Sequence, residues 1–144
     1  MDTSNFEGLL ALSRAAKSIP ATERASAVEG LYATGHWLLS QNRFANAADV
    51  LRAMTLVAPE DERGWVALGA AHEGVDQLDV AKEIYAAGYA LAKPNARCGV
   101  ALVRVLRSLG QHHEAESVLE LVEEAADNTD DELSSILAYE RRAA

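Results

Sequence analysis

The chain is poor in the residues that mark most fold classes other than helical ones. Cysteine occurs once, at Cys98, so no intramolecular disulfide is available and nothing implies an oxidising compartment. Aromatic residues are few, with two Trp, four Tyr and two Phe. A sheet built from aromatic and β-branched strands is therefore disfavoured, while the abundant Ala and Leu favour closely packed helices. No run of about 18 apolar residues occurs, so no segment is expected to span a membrane or anchor in one. The N-terminus, MDTSNFEGLLALSRAAKSIP, opens with an acid and lacks the basic start and unbroken apolar core of an export signal, which makes a cytoplasmic setting the expectation. Lys and Arg are missing from Glu114 to Glu132, where nine acids stand; the other 13 acids balance the 13 bases, so the net charge of −9 belongs to this one stretch. Such a distribution argues against nucleic acid or anionic lipid as a partner and reads as a solvated face.

Signatures of chemistry are equally scarce. The four histidines, His36, His72, His112 and His113, form no His-x-x-x-His pair and stand at no ligand spacing to Cys98, so no metal site is expected. Gly64, Gly69 and Gly74 write neither a phosphate-binding loop nor a dinucleotide fingerprint. Cys98 lacks the flanking residues of a nucleophile and reads as a buried thiol. No catalytic residue and no cofactor is expected, and the chain does not read as an enzyme.

What is present is a repeat. From Glu62 to Pro94, a frame with position 1 at Glu62 places Trp65 at 4, Leu68 at 7, Gly69 at 8, Ala81 at 20 and Tyr85 at 24. Thirty-four residues earlier, Leu31, Gly35, Ala47, Leu51 and Pro59 fall at 4, 8, 20, 24 and 32; thirty-four later, Leu102, Leu106, Ala115 and Leu119 fall at 7, 11, 20 and 24. These are the places where a tetratricopeptide repeat wants large apolar and small residues, and the chain resembles that family. The fold expected is all-α: three tandem tetratricopeptide repeats, a helix-turn-helix solenoid at about 28–61, 62–95 and 96–129, in one domain over 1–144. The first repeat reads as helices Thr22–Ser40 and Phe44–Val57 with Gln41-Asn42 as the turn, and Ala47 is expected to pack into the notch at Gly35. The third repeat is degenerate, with Gly99 where Trp is usual and Val103 where Gly is usual, while Gly110 marks its turn.

A solenoid needs polar caps at both ends. An N-terminal helix at about 4–18 is expected from the capping box Ser4-Asn5-Phe6-Glu7 and the stripe Phe6, Leu9, Leu10 and Ser13, ending at Ile19-Pro20. A C-terminal helix at about 130–141 is expected from a second box, Thr129 to Glu132, followed by Leu133, Ile136 and Leu137. In repeats of this kind positions 2, 5, 9, 12 and 13 face a concave groove. They are Tyr32, His36 and Leu39 in the first repeat, Arg63, Val66, Ala70 and Glu73 in the second, and Arg97, Val100, Arg104 and Arg107 in the third. Apolar positions at one end and arginines at the other suit a peptide, the arginines hydrogen-bonding its carboxylates or carbonyls. The competing reading is that these arginines pair with the acidic stretch from Glu114.

The runs LYATGHWLLSQNRFANAADVLRAM, ERGWVALGAAHEGVDQLDVAKEIYAAGYAL and LGQHHEAESVLE, with a short last helix, resemble the class II chaperones of bacterial type III secretion systems. The resemblance implies a cytosolic chaperone that holds a hydrophobic translocator subunit soluble and secretion-competent, with an extended N-terminal segment of the translocator in the groove. It also implies a homodimer through the N-terminal region, a need that Phe6, Leu9 and Leu10 match. Two alternatives share the fold: a chaperone of the secretion needle subunit, and a generic protein-interaction scaffold.

Overall fold

The computed structural model of the protein describes Glu7, Gly8, Leu10, Ala11, Arg14, Ala15 and residues 17–144. Those described from Glu7 to Lys17 are helical and exposed. The Ser4 capping box and the stripe positions Phe6, Leu9 and Ser13 lie outside the described residues. Seven helices with full bounds follow: α1 (Ala21–Ser40), α2 (Phe44–Val57), α3 (Glu62–Glu73), α4 (Leu78–Leu91), α5 (Ala96–Ser108), α6 (His112–Ala125) and α7 (Asp131–Ala143). No strand occurs among the described residues. Each odd helix through α5 pairs with its successor, α3 also touches α1 and α5, and α7 packs on α5 and α6 where the first helix of a fourth repeat would lie. The architecture is a stack of three helical hairpins closed by one more helix.

The turns repeat with the sequence. Position 15 of each repeat, Asn42, Asp76 and Gly110, has φ of 56°, 60° and 77°. The following N–H groups of Arg43, Gln77 and Gln111 reach back to the carbonyls of Leu38, His72 and Leu106 at 2.9, 2.9 and 2.8 Å. A left-handed residue that lets the chain bond back onto the last turn is what ends each first helix, and Asn, Asp and Gly are the residues that tolerate it.

Packing inside each hairpin follows two pairs of positions whose volumes trade against each other. At positions 8 and 24, a Cβ on Gly35 would lie 2.5 Å from the Leu51 side chain and one on Gly69 would lie 2.1 Å from the Tyr85 ring. Leu51, rather than Ala47, therefore fills the notch at Gly35; Ala47 is buried elsewhere in the same core because a Leu reaches across the crossing and an Ala does not. The third repeat replaces this pair with Val103 and Leu119, both fully buried. At positions 4 and 27 the second repeat sets Trp65 against Gly88, where an added Cβ would lie 2.5 Å from Trp65 Cβ; the third reverses the sizes, and a Cβ added at Gly99 would lie 2.4 Å from Val122 Cγ2. The missing Trp at Gly99 is thus compensated within its own hairpin.

The last helix starts one residue later than the capping box places it. Asp130 is the cap, accepting from Leu133 N–H at 2.9 Å, while the Thr129 hydroxyl is turned back to Asp127 at 2.7 Å. An Asp at the cap position outcompetes the neighbouring Thr because its carboxylate is the stronger acceptor and faces the positive end of the helix dipole.

Candidate functional site

The first helices of the first two repeats enclose a cavity of about 330 Å³. Tyr32, His36 and Leu39 of α1 form one wall and Val66, Ala67 and Ala70 of α3 the other, with Glu62, Arg63 and Arg97 at its edge. Seven of the expected groove residues therefore meet in one place: Tyr32, His36, Leu39, Arg63, Val66, Ala70 and Arg97. The rings of Tyr32 and His36 lie tilted with centroids 5.9 Å apart, and the Arg63 guanidinium stacks over Tyr32 at 4.7 Å.

The remaining four expected residues sit elsewhere. Val100 is 4% exposed and belongs to the core formed with Leu133 and Leu137. Its position faces the concave side, but α7 covers that side of α5, so the expectation of a groove wall at Val100 is corrected to a core residue. Arg104 and Arg107 both bind Glu140 of α7, Arg104 Nε to Oε1 at 2.5 Å and Arg107 Nη1 to Oε2 at 2.7 Å, and Arg107 also donates to the Glu140 carbonyl at 3.0 Å. Glu73 is exposed at the end of α3 and accepts the hydrogen bond of the Tyr85 hydroxyl. The concave lining thus stops at Arg97, because the closing helix occupies the third-repeat wall.

The arginines are not waiting for a ligand. Arg63 is bidentate to Glu29, at 2.6 and 3.2 Å, and to Asp61, at 2.8 and 3.1 Å. Asp61 at the same time caps α3 by accepting from Arg63 N–H at 3.1 Å. The guanidinium holds the Glu29 and Asp61 carboxyls below the usual carboxylate range and is itself raised, first by Asp61 and then by Glu29. Arg97 lies between Glu62 at 3.6 Å and Asp130 and Glu132 at 3.8 and 3.5 Å. Burial raises the Glu62 carboxyl even though the Arg97 backbone N–H and guanidinium oppose it. Of the four groove arginines only Arg97 pairs with the stretch from Glu114 to Glu132; the others use Glu29, Asp61 and Glu140. A cavity with apolar walls and a neutralised rim selects apolar side chains rather than carboxylates.

Glu29 and Asp61 are the partners that the repeat frame alone overlooks, and a signal for one of them is present. Glu29 precedes Arg63 by 34 residues and Arg63 precedes Arg97 by 34, the period of the array. Opposite charges at that spacing sit on neighbouring first helices at the same height.

Glu140 is the pin that holds the closing helix. Its side chain is 3% exposed, and Arg107 is mostly covered while Arg104 keeps half of its side chain in water. Glu140→Ala is expected to cost about 3 kcal/mol, the low end for breaking a buried ion pair. Hydrogen exchange across residues 131–143 is expected to speed up, with the α1–α2 hairpin unaffected; unchanged exchange in α7 would show that its apolar stripe alone holds it.

Among the described residues no group of three or more His, Cys, Asp and Glu could hold a metal ion, and no helix is long and apolar enough to cross a membrane. Cys98 is buried, and burial pushes its thiol up to about 12.

No family model matches the sequence, and no curated protein does either. Solved structures do. The type III secretion translocator chaperone SycD of Yersinia enterocolitica matches at a TM-score of 0.73 and 25% identity, over 83% of this chain and 91% of that one. This is the fold of a type III secretion translocator chaperone. A second structure of SycD, in complex with a peptide of the translocator YopD, matches a translocator-chaperone fold in this chain at 0.65 and 25% identity over 79% of this chain and 92% of that one. The same architecture is found in MamA of Desulfovibrio magneticus, at 0.62 and 22% identity over 89% of this chain and 71% of that one, a likeness of fold alone.

Proposed function

We propose that this protein is a cytoplasmic type III secretion chaperone that binds an extended apolar segment of a hydrophobic translocator subunit and keeps the subunit soluble until export. One observation carries the reading: the concave side of a translocator-chaperone fold holds an apolar cavity between α1 and α3 whose rim charges are internally neutralised. A volume of about 330 Å³ fits one large apolar side chain with adjoining backbone. SycD, crystallised with a peptide of a translocator, supplies the kind of client. Binding rather than turnover is the activity, and the repeats at 28–61, 62–95 and 96–129 act as one unit. A homodimer through Phe6, Leu9 and Leu10 belongs to the same proposal, supported by the exposure of Leu10 at 39%.

Co-expression with a hydrophobic translocator subunit of a type III secretion system from the same genome tests it. The translocator is expected to move from the insoluble to the soluble fraction and to co-purify at a fixed ratio. A translocator equally soluble without this chain would refute the reading. Co-purification of the needle subunit instead would transfer the role to that client.

A further inference from the structure

We infer that the client track continues beyond Arg63 into a second cavity along the same helix, and that one extended client segment fills both. The inference rests on the reading of the first cavity as the client site. The second cavity, of about 540 Å³, has an apolar floor of Ala21, Ala25 and Val28 from α1 with Ala58 and Pro94 opposite. Glu62 and Arg63 line both cavities, so the two are adjacent, and the Arg63–Glu29 ion pair bridging α3 and α1 lies between them.

The first helix explains why the track is long. α1 has 20 residues, whereas the other six have 12 to 14. Its extra N-terminal turns precede the first repeat and have no counterpart in the second or third. At about 100° per residue, Ala21, Ala25, Val28, Tyr32, His36 and Leu39 fall in one sector of about 80°. A single stripe of α1 therefore walls both cavities. From Ala21 to Leu39 the rise is about 27 Å, the reach of about eight residues of extended chain.

Charge indicates what lies in the second half. Arg24 faces Glu60 at 4.0 Å, Arg63 is held by Glu29 and Asp61, and Glu62 is held by Arg97. Lys93 is exposed at the rim, and among the described residues no carboxylate lies within ion-pair distance of its ammonium group. The client that fits has an apolar side chain for each cavity and an acidic residue at the Lys93 end. The neutral floor gives affinity by burial, and Lys93 gives the direction of the chain.

The complex of this chain with the co-purified translocator serves as the probe. A photo-crosslinking residue is placed at His36 in the first cavity, at Arg24 in the second and at exposed Asp49 on α2 as a control. His36 and Arg24 are expected to label one client segment at sites within about eight residues of each other, and Asp49 to label none. Ala25→Trp, which fills the second cavity from an exposed position, is expected to reduce co-purified client at least tenfold without moving the melting temperature. Labelling of the client from His36 but only of this chain, or of a second copy of it, from Arg24 would overturn the extension and leave the first cavity as the client site. Absence of client labelling from His36 would instead refute the reading on which the extension rests.

Discussion

Gly69→Ala is expected to destabilise the protein by about 3 kcal/mol, the upper part of the range for overpacking a core, and Gly69→Leu is expected not to fold. The new Cβ would lie 2.1, 2.4 and 2.7 Å from three atoms of the Tyr85 ring. That ring has nowhere to go, since Tyr85 is 2% exposed and its hydroxyl is fastened to Glu73. Burial, and then the Glu73 carboxylate, push the phenol above its ordinary range, so the group stays protonated and keeps donating. For a chain of this length the Ala variant should melt roughly 6–12 °C lower. Gly30→Ala provides the contrast. Gly30 lies within α1, exposed, with nothing within 4 Å of a Cβ. Relief of the entropic penalty of glycine in a helix is expected to raise stability by about 0.5–1 kcal/mol. Thermal melts followed by circular dichroism measure both. A Gly69→Ala variant as stable as the parent would show that the α3–α4 crossing relaxes, and would remove the volume trade between positions 8 and 24 as an explanation of the hairpins.

Val66→Asp is expected to weaken client binding by about 100-fold while leaving the melting temperature of the free chain nearly unchanged. Val66 is half-buried on the α3 wall, so an Asp there is hydrated in the free protein. A bound apolar side chain would strip that water with no partner for the carboxylate, at a cost of about 3 kcal/mol. Leu91→Asp, at a residue 54% exposed on α4 and outside the cavity, is the control and is expected to bind normally. Anisotropy titration of a labelled client segment distinguishes them; normal binding by the Val66 variant would remove the site from the cavity. Arg104→Glu is not an equivalent test. It sets a second carboxylate beside buried Glu140 and is expected to loosen α7 before it alters any ligand.

The repeat frame locates the hairpins closely. Phe44–Val57 is observed with the expected bounds, the first helix begins one residue earlier at Ala21, and the turns fall at Asn42 and Gly110 as anticipated. These features are local: they follow from apolar residues recurring at helical spacing and from residues that accept a left-handed backbone. Seven of the eleven expected groove residues gather around one cavity because positions 2, 5, 9 and 12 of neighbouring first helices face the same side. The third-repeat wall goes differently. Val100 looks like its counterpart Val66 in the frame, yet one is core and the other lines a cavity, because α7 covers α5 and nothing equivalent covers α3.

Periodicity records which face of a helix is buried or small, and that is sufficient for an all-helical stack with its turns and crossings. It does not record what covers a face. Apart from the local Arg63–Asp61 pair, the closure of the groove by α7, the four arginines satisfied by Glu29, Glu62, Asp130, Glu132 and Glu140, and the exchange of volume between Trp65/Gly88 and Gly99/Val122 are contacts between residues 23 or more positions apart. Such pairings depend on the rotation and height of whole helices, which are set when the cores pack and not by any one segment. The repeat is therefore written in the chain, whereas the length and charge of its binding surface emerge only from how the helices are stacked.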